Sequence, residues 1–412
     1  MARLPGMTSL RDVFRSPPLA GRWRTAFWAL LVAGTLVRLY VAFTTRGVAF
    51  DIESYELVRD ALADDPLELY STVNEPDAPH WPYPSGFFGW FAASKYASDL
   101  TGLRYDGFVQ VAPILADAAL AWIVQAFLGQ RGAGERVRLG AAALVAAGTS
   151  FAFVSGYHGQ LDAVSILPAV LGFWVWFRGD LAERALVAGV LIGLGGSIKI
   201  GALLTVLALL PSARSFAEGA RLAVAAAAVP LLLLVPWLAA DPDGTIDAVR
   251  SNDGLPGFGG ISLLVQPDLS ALWLHTKPVE LSSASEWLFD RAAIFAIGSL
   301  LAVGVVLLLR RVPPLTAAVL VWLTVYAFGV NFALQYLVWG LPFFLMAGRL
   351  RAVAAIQAAV LVPTAMIYGI GSRDVALHKV YTPIMLVVWA GFVVWFAIEL
   401  RRVLRRDEPL RA

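Results

Sequence analysis

The sequence predicts an all-α, polytopic transmembrane helical bundle, and three observations predict it. The chain is 58% hydrophobic and 15% charged, whereas soluble domains are roughly a quarter charged. Its mean hydropathy is +0.70. Apolar runs of about 20 residues, the length that spans a bilayer core, recur along the whole chain. Such runs must be helical, because the bilayer core offers no water to open backbone groups. Among the 412 residues there is no cysteine, which removes disulfides, thiolate metal sites and Cys nucleophiles. A net charge of +2 is too small to argue for nucleic acid.

The apolar runs fall at 25–45, 107–128, 138–155, 161–178, 185–211, 220–240, 291–309, 314–330, 333–347, 351–370 and 380–400. The polar, Pro-containing stretch before the first run has no small-residue cleavage site after it, so we expect it to remain on the chain rather than be cleaved as a signal. Lys and Arg in short loops set the orientation. Basic connectors carry Arg131, Arg136 and Arg138; Arg178 and Arg184; Arg214 and Arg221; Arg310 and Arg311; and Arg349 and Arg351, while both tails are arginine-rich. All of these sit in the cytoplasm if the run 185–211 is broken at Gly195-Gly-Ser-Ile-Lys199 and crosses twice or re-enters. A glycine pair followed by a charge is a plausible break. The result is about 12 segments with both termini cytoplasmic. We read 1–412 as a single membrane domain with two long outer loops, 46–106 and 241–290.

The first outer loop holds Asp51-Ile-Glu-Ser-Tyr-Glu and Trp81-Pro-Tyr-Pro-Ser-Gly86. Ile52, Tyr55, Val58 and Leu62 recur at helical spacing, which predicts an amphipathic helix on the membrane surface. A second helix is expected from Pro84, with Phe87, Phe88, Trp90 and Phe91 as interfacial anchors. The loop 241–290 reads as irregular, with a short helix near Leu269–His275.

Several polar residues on this face can carry chemistry, and each has a structural alternative. Asp51 can act as a general base for a hydroxyl or as the N-cap of the helix after it. Glu53 is a second candidate, or a solvated helix face. His158-Gly-Gln-Leu-Asp162 joins two apolar runs with almost no spacer, so it lines a polar cavity or forms an interfacial turn. Lys199 suits a phosphate or snorkels, and the same choice holds for Arg38. Asn331, Gln335 and Tyr336 lie between two apolar runs, and Arg373, His378 and Lys379 form a basic cluster or ordinary loop charge. All four histidines (His80, His158, His275 and His378) fall on the outer face or its edge. There is no nucleophile-elbow serine motif, no phosphate-binding P-loop and no His or Cys metal spacing.

The order of these motifs resembles the GT-C superfamily of integral membrane glycosyltransferases. An acidic residue follows the first transmembrane helix; then come Trp81-Pro-Tyr-Pro-Ser-Gly86, His158-Gly-Gln-Leu-Asp162, Lys199 and Gln335-Tyr336-Leu-Val-Trp339. The likeness runs from about Thr25 to Trp339 and is greatest to bacterial polyprenyl-phosphomannose-dependent mannosyltransferases and to the eukaryotic transferases of N-glycan and GPI assembly. It implies a GT-C fold and inverting transfer of one sugar, mannose first among candidates, from a polyprenyl-phosphate donor to a cell-envelope glycolipid or glycan outside the cytoplasm. Asp51 matches the family's catalytic acid. Tyr83-Pro84 matches two positions of a Tyr-Pro-Pro motif, with Ser85 in place of the second proline. An Asp-x-Asp pair is absent, Asp51-Ile-Glu53 being the nearest approach, so neither a metal nor another cofactor is expected. Lys199, His158, Gln160, Asp162, Gln335, Tyr336, Arg373 and His378 are the candidates for holding the donor's phosphate and sugar. Glu53 and Tyr83 are candidates for supporting the acceptor. The expected partners are the lipid-linked donor, the acceptor and membrane lipids. A transporter or flippase of lipid-linked sugars is the alternative, with a non-catalytic envelope protein a third.

Overall fold

Long apolar runs become helices here because nothing else satisfies their backbone. The computed structural model describes residues 14–73, 81–178, 181, 183–250, 257–265, 281–330, 332–370 and 375–405, without the side chains of 369–370 and 375–379. Among the described residues there is no strand. Among the described residues six helices are long and apolar enough to cross a membrane: Gly21–Thr44, Tyr105–Gln130, Glu135–His158, Phe216–Ala240, Ala292–Leu309 and Val380–Leu404. Leu350–Ala359 and Leu361–Tyr368, bent by 47°, make a seventh if taken as one broken span. Shorter apolar helices among the described residues cover the remaining segments read from the sequence: Asp162–Trp176, Arg184–Gly196, Ile200–Ser212, Pro314–Phe328 and Leu334–Met346.

The chain divides into two compact units, Met1–Val206 with Ala213–Asn252, and Leu207–Ser212 with Asp253–Ala412. In the first unit α1 (Gly21–Thr44) leads to α2 (Ala49–Asp64), α3 (Phe88–Thr101) and α4 (Tyr105–Gln130). Then come α5 (Glu135–Ala146), a π turn Val154–His158, α6 (Asp162–Trp176), α7 (Arg184–Gly196), α8 (Phe216–Ala240) and α9 (Pro242–Arg250). Packing within the bilayer depends on close backbone approach. A Cβ on Gly189 or Gly193 of α7 would lie 2.6–2.7 Å from carbonyl oxygens of α8, so only glycine lets these helices meet. Ser215 caps α8 by accepting from Glu218 N at 3.2 Å.

These helices give the first unit two chemically different ends. At one end Trp174 donates to Gln130 at 2.7 Å, Arg138 donates to the Pro17 carbonyl at 2.7 Å, and Arg184 forks onto Glu218 at 2.7 and 3.0 Å. At the other end Tyr105 at the start of α4 donates to the Tyr55 carbonyl at 3.2 Å. The run 185–211 is broken at the expected place: α7 ends at Gly196, and a 3₁₀ turn starts at Ile200. The chain passes from Arg184 at the arginine end to Lys199 at the other. It is back beside Glu218 by Arg214, whose N–H reaches that carboxylate at 2.6 Å. The α7 limb, about 20 Å long at 1.5 Å per residue, is shorter than the about 30 Å hydrocarbon core.

Two expectations about the first outer loop are corrected. The apolar face of α2 does not lie on lipid: Ile52, Tyr55 and Val58 are buried in a cluster with Trp81, Phe88 and Phe91. Phe87, Phe88 and Phe91 are likewise buried rather than interfacial, and only Trp90 of the expected anchors is partly open. An aromatic face at helical spacing is covered equally well by protein or by lipid, so its period does not choose between them. Burying each such side chain contributes about 1.5–3 kcal/mol, which makes this cluster a firm platform. Trp237 ties it to the end of α8 by donating to the Pro66 carbonyl at 2.6 Å. The loop 241–290 is also less irregular than expected. It contains α9, a 3₁₀ turn Gly260–Leu264 and a helix Ser283–Phe289. The helix expected near 269–275 lies outside the described residues.

The second unit holds α10 (Ala292–Leu309), α11 (Pro314–Phe328), α12 (Leu337–Met346), α13 (Leu350–Ala359) and α14 (Val375–Leu404). Helix α11 is its axis, buried along most of its length. Tyr326 accepts from Gly340 N at 2.9 Å and donates to the Tyr336 carbonyl at 3.0 Å. The 3₁₀ turn Gly260–Leu264 is stitched to the end of α11, Ile261 N reaching the Gly329 carbonyl at 3.0 Å and Ser262 N the Val330 carbonyl at 2.7 Å.

Candidate active site

The site grows from a tight turn between α1 and α2. Gly47 has φ +75°, a left-handed conformation that glycine adopts without strain, and a Cβ there would sit 2.7 Å from the Tyr157 carbonyl. The turn therefore lies directly on the π turn that carries His158. The N-cap of α2 is Val48, and Asp51 stands within the first helical turn and makes no capping bond. The capping alternative is corrected by this geometry. The carboxylate points across to the π turn instead. His158 Nε2 bonds Asp51 Oδ2, and Gln160 Nε2 donates to Asp51 Oδ1.

From Gln160 the network continues inward. Lys199 Nζ donates to Gln160 Oε1 at 2.7 Å and to Asp162 Oδ2 at 3.0 Å, and it stands 4.7 Å above the Tyr83 ring. Gly86 N donates to the Ser197 carbonyl at 2.8 Å, and Ser85 Oγ donates to the Leu233 carbonyl at 2.9 Å. Thus Trp81-Pro-Tyr-Pro-Ser-Gly86 is laced to the break after α7, which brings the Tyr83 ring onto Lys199. A Cβ at Gly86 would lie 2.6 Å from the Ser197 carbonyl oxygen, so the contact requires glycine. Tyr55 closes the other side by donating to the Gly159 carbonyl at 3.2 Å.

Exposure grades along the network. The Lys199 and Asp162 side chains are 2% and 0% exposed, His158 4% and Asp51 19%. Asp51 is thus the group through which the network meets the outside. Burial, and then the charges of Asp162 and Asp51, push the Tyr83 phenol well above its ordinary range. Burial followed by the Asp51 charge does the same to Tyr55. Both phenols therefore stay protonated beside the carboxylates. Chemically, the site presents a hydrogen-bonded carboxylate able to take a proton from a hydroxyl, backed by a charge-compensated interior.

The structure thus brings together Asp51, His158, Gln160, Asp162, Lys199 and Tyr83. Glu53 stands apart: its side chain is 46% exposed and lies 3.6 Å from Arg46. Lys199 does not snorkel: its ammonium is buried and faces Gln160, Asp162 and the Tyr83 ring. Arg38 does not snorkel either. It is buried, donates to the Ala146 and Val145 carbonyls at 2.8 and 3.1 Å, and pairs with Asp117 at 3.7 Å. In the second unit Gln335 is buried and accepts from Tyr368 at 3.1 Å, while Tyr336 stacks on Trp339 with centroids 4.3 Å apart. Asn331, Arg373, His80, His275 and the His378 side chain lie outside the described residues. Among the described residues no three His, Asp or Glu side chains cluster as a metal site.

Sequence reasoning passed over Tyr55, Gly47, Gly86 and Ser197 as site builders, and Gln110 and Asp117 altogether. The last two carried a usable signal, being polar residues inside an apolar run. Both are fully buried, and Gln110 packs against Gly159.

No family model matches the chain, and no curated protein matches it. Among solved structures the chain is similar to the crystal structure of ArnT from Cupriavidus metallidurans in the apo state, at 16% identity and a TM-score of 0.49, over 92% of this chain and 73% of that one.

Proposed function

We propose that the chain is an inverting GT-C-type membrane glycosyltransferase. It moves a single sugar, with mannose the first candidate, from a polyprenyl-phosphate donor to a hydroxyl of a cell-envelope glycolipid or glycan. The observation that carries this reading is Asp51: a partly exposed carboxylate, fixed by two side chains from a second element, at the accessible end of a buried polar network. In the reaction the acceptor oxygen attacks the anomeric carbon as the bond to the phosphate oxygen breaks. Asp51 takes the hydroxyl proton, and the electron pair of the broken bond leaves with the polyprenyl phosphate. A phosphate leaving group needs no strong acid, so a single base suffices. The acceptor is assigned to the Tyr83 side of Asp51. Turnover is expected to survive chelation of divalent metals.

The site is assigned to the extracytoplasmic face. Support comes from the first unit, where the arginines that donate across the helix ends lie opposite Asp51, as the loop-charge rule requires of a cytoplasmic end. Single cysteines placed on this cysteine-free chain test it with an impermeant thiol reagent. Positions next to Asp51 and His158 should label from outside, and those next to Arg136, Arg311 and Arg402 should not. Outside labelling near Arg311 would overturn the assignment. The activity is tested with purified protein in nanodiscs, a short-chain polyprenyl-phosphate mannose and a panel of hydroxyl acceptors, following product by mass. In sealed proteoliposomes, donor that crosses the bilayer unconsumed would instead favour a flippase.

A further inference from the structure

Lys199 and Asp162 form an ion pair that is almost wholly enclosed. Such pairs contribute little net stability, because desolvation offsets most of their attraction. What distinguishes this one is its third member. Gln160 bridges it to Asp51, and a glutamine amide has two chemically different ends that can exchange places by rotation. Lysine has three donors and no acceptor. It therefore admits only the carbonyl end of Gln160, which turns the NH₂ end to Asp51. A neutral side chain at 199 would leave both orientations open, and one of them sets the amide oxygen against the carboxylate.

We propose that Lys199 is a positioning residue: by holding Gln160 Oε1 it fixes the amide so that Asp51 meets a donor from Gln160 beside the one from His158, and the carboxylate is aimed outward as a base. This rests on Asp51 being the base of the proposed transfer. Asp162 neutralises the ammonium in its enclosed position. The Tyr83 ring covers its remaining side, held there by the Gly86–Ser197 contact. The charged and titratable groups facing Asp51 are His158, the Lys199–Asp162 pair, Tyr55 and Tyr83, with Arg46 and Glu56 paired outside at 3.3 Å.

Three variants and two readouts test this. Gln160→Glu keeps a stronger partner for Lys199 but sets a carboxylate against Asp51. Lys199→Met frees the amide. Lys199→Met with Asp162→Asn does the same without leaving a buried charge, so that a folding defect in the single variant does not blur the result. With short-chain polyprenyl-phosphate mannose, kcat is expected to fall about a hundredfold in Gln160→Glu and about tenfold or more in both Lys199 variants. The donor KM should stay within about twofold of the parent's in all three, since uniform binding is untouched. A phosphate ligand would give the opposite split, with donor KM rising and kcat spared.

The second readout does not need turnover. Carbodiimides attack protonated carboxyl groups, so labelling of Asp51 by dicyclohexylcarbodiimide at neutral pH, quantified on its peptide, reports how easily that carboxyl protonates. All three variants should label several-fold faster than the parent. If the parent fails to transfer any sugar, the proposed transferase activity is wrong, and labelling still decides the role of Lys199. Unchanged labelling in both Lys199 variants would overturn the inference.

Discussion

Helix α7 carries an ion pair at each end, and the two differ in what lies beyond them. At its start Arg184 forks onto Glu218 at 2.7 and 3.0 Å and donates to the Trp176 carbonyl at 3.1 Å. Glu218 also accepts from Arg214 N at 2.6 Å. Just past the helix's other end Lys199 meets Asp162, but here the network runs on through Gln160 to a carboxylate that reaches the surface. The first pair fastens α6, α7 and α8 together where the chain turns. The second is more deeply enclosed and leads to a group that can react. Being buried and paired is common to both ends. Each end also has a partly open carboxylate, Glu218 at 16% and Asp51 at 19% exposed; what distinguishes the Lys199 end is the Gln160 bridge from the enclosed pair to a second carboxylate.

Substituting the two ends should therefore produce opposite phenotypes, and Asp51→Asn gives the larger effect. Asparagine keeps the size and accepts one hydrogen bond, but it cannot take a proton from a hydroxyl. Turnover should fall by about 10²–10⁴-fold, the usual cost of a lost general base, while the melting temperature stays close to the parent's. A parental rate in Asp51→Asn would dissolve the contrast between the two ends, leaving two structural pairs.

Gly86→Ala should come next. The added methyl group meets the Ser197 hydroxyl and also the Ser197 backbone carbonyl at 2.6 Å; the hydroxyl can rotate away but the carbonyl cannot, so the Pro84–Gly86 segment must move off Ser197 and carry the Tyr83 ring with it. Misplacing a positioning element by about 1 Å can cost about 10²-fold in rate. We expect about a tenfold loss here, because Asp51 itself is held from the other side by the Gly47 turn. Steady-state kinetics beside a thermal melt reads it, and a parental kcat would mean that the motif serves only packing.

Arg184→Ala should act at the other end in the other currency. It leaves Glu218 without its fork, and stability should drop by roughly 1–3 kcal/mol. That is less than the roughly 3–5 kcal/mol of a fully buried pair, because Glu218 is partly open. Activity per folded molecule should remain parental. Loss of activity without loss of stability would mean that the arginine end also serves the chemistry.

How far these two ends could be read from sequence follows from the range of each interaction. The membrane helices were legible because hydropathy is a property of contiguous residues. So was the break at Gly195–Lys199, where two glycines and a charge stand next to each other. Asp51, His158, Gln160, Asp162 and Lys199 were each singled out, but their union was not, since Asp51 and His158 are 107 residues apart. Asp51 also resembled an N-cap, because a local rule sees an acid before an apolar period and not the carboxylate's direction. For the same reason the Phe87–Phe91 face was assigned to lipid: periodicity shows that a face is apolar and says nothing of what covers it. At Lys199 a lone cation in an apolar run shows no partner until Asp162 is folded against it.

The smallest expected effect belongs to Glu53→Gln, and it is the control that sharpens the reading of α2. Glu53 shares the helix and the charge of Asp51 and sits two residues away. It differs in surroundings: its side chain is 46% exposed and its partner Arg46 is 52% exposed. An ion pair that open contributes about 0–1 kcal/mol, so stability should move by no more than that and turnover by less than about twofold. Measured beside Asp51→Asn, the pair separates enclosure from charge. A silent Glu53→Gln with a dead Asp51→Asn means that the contacts to His158 and Gln160 make the carboxylate a base. A dead Glu53→Gln beside an active Asp51→Asn would transfer the role two residues along the helix. Parental rates in both would remove α2 from the chemistry and leave the network below it as a device for packing alone.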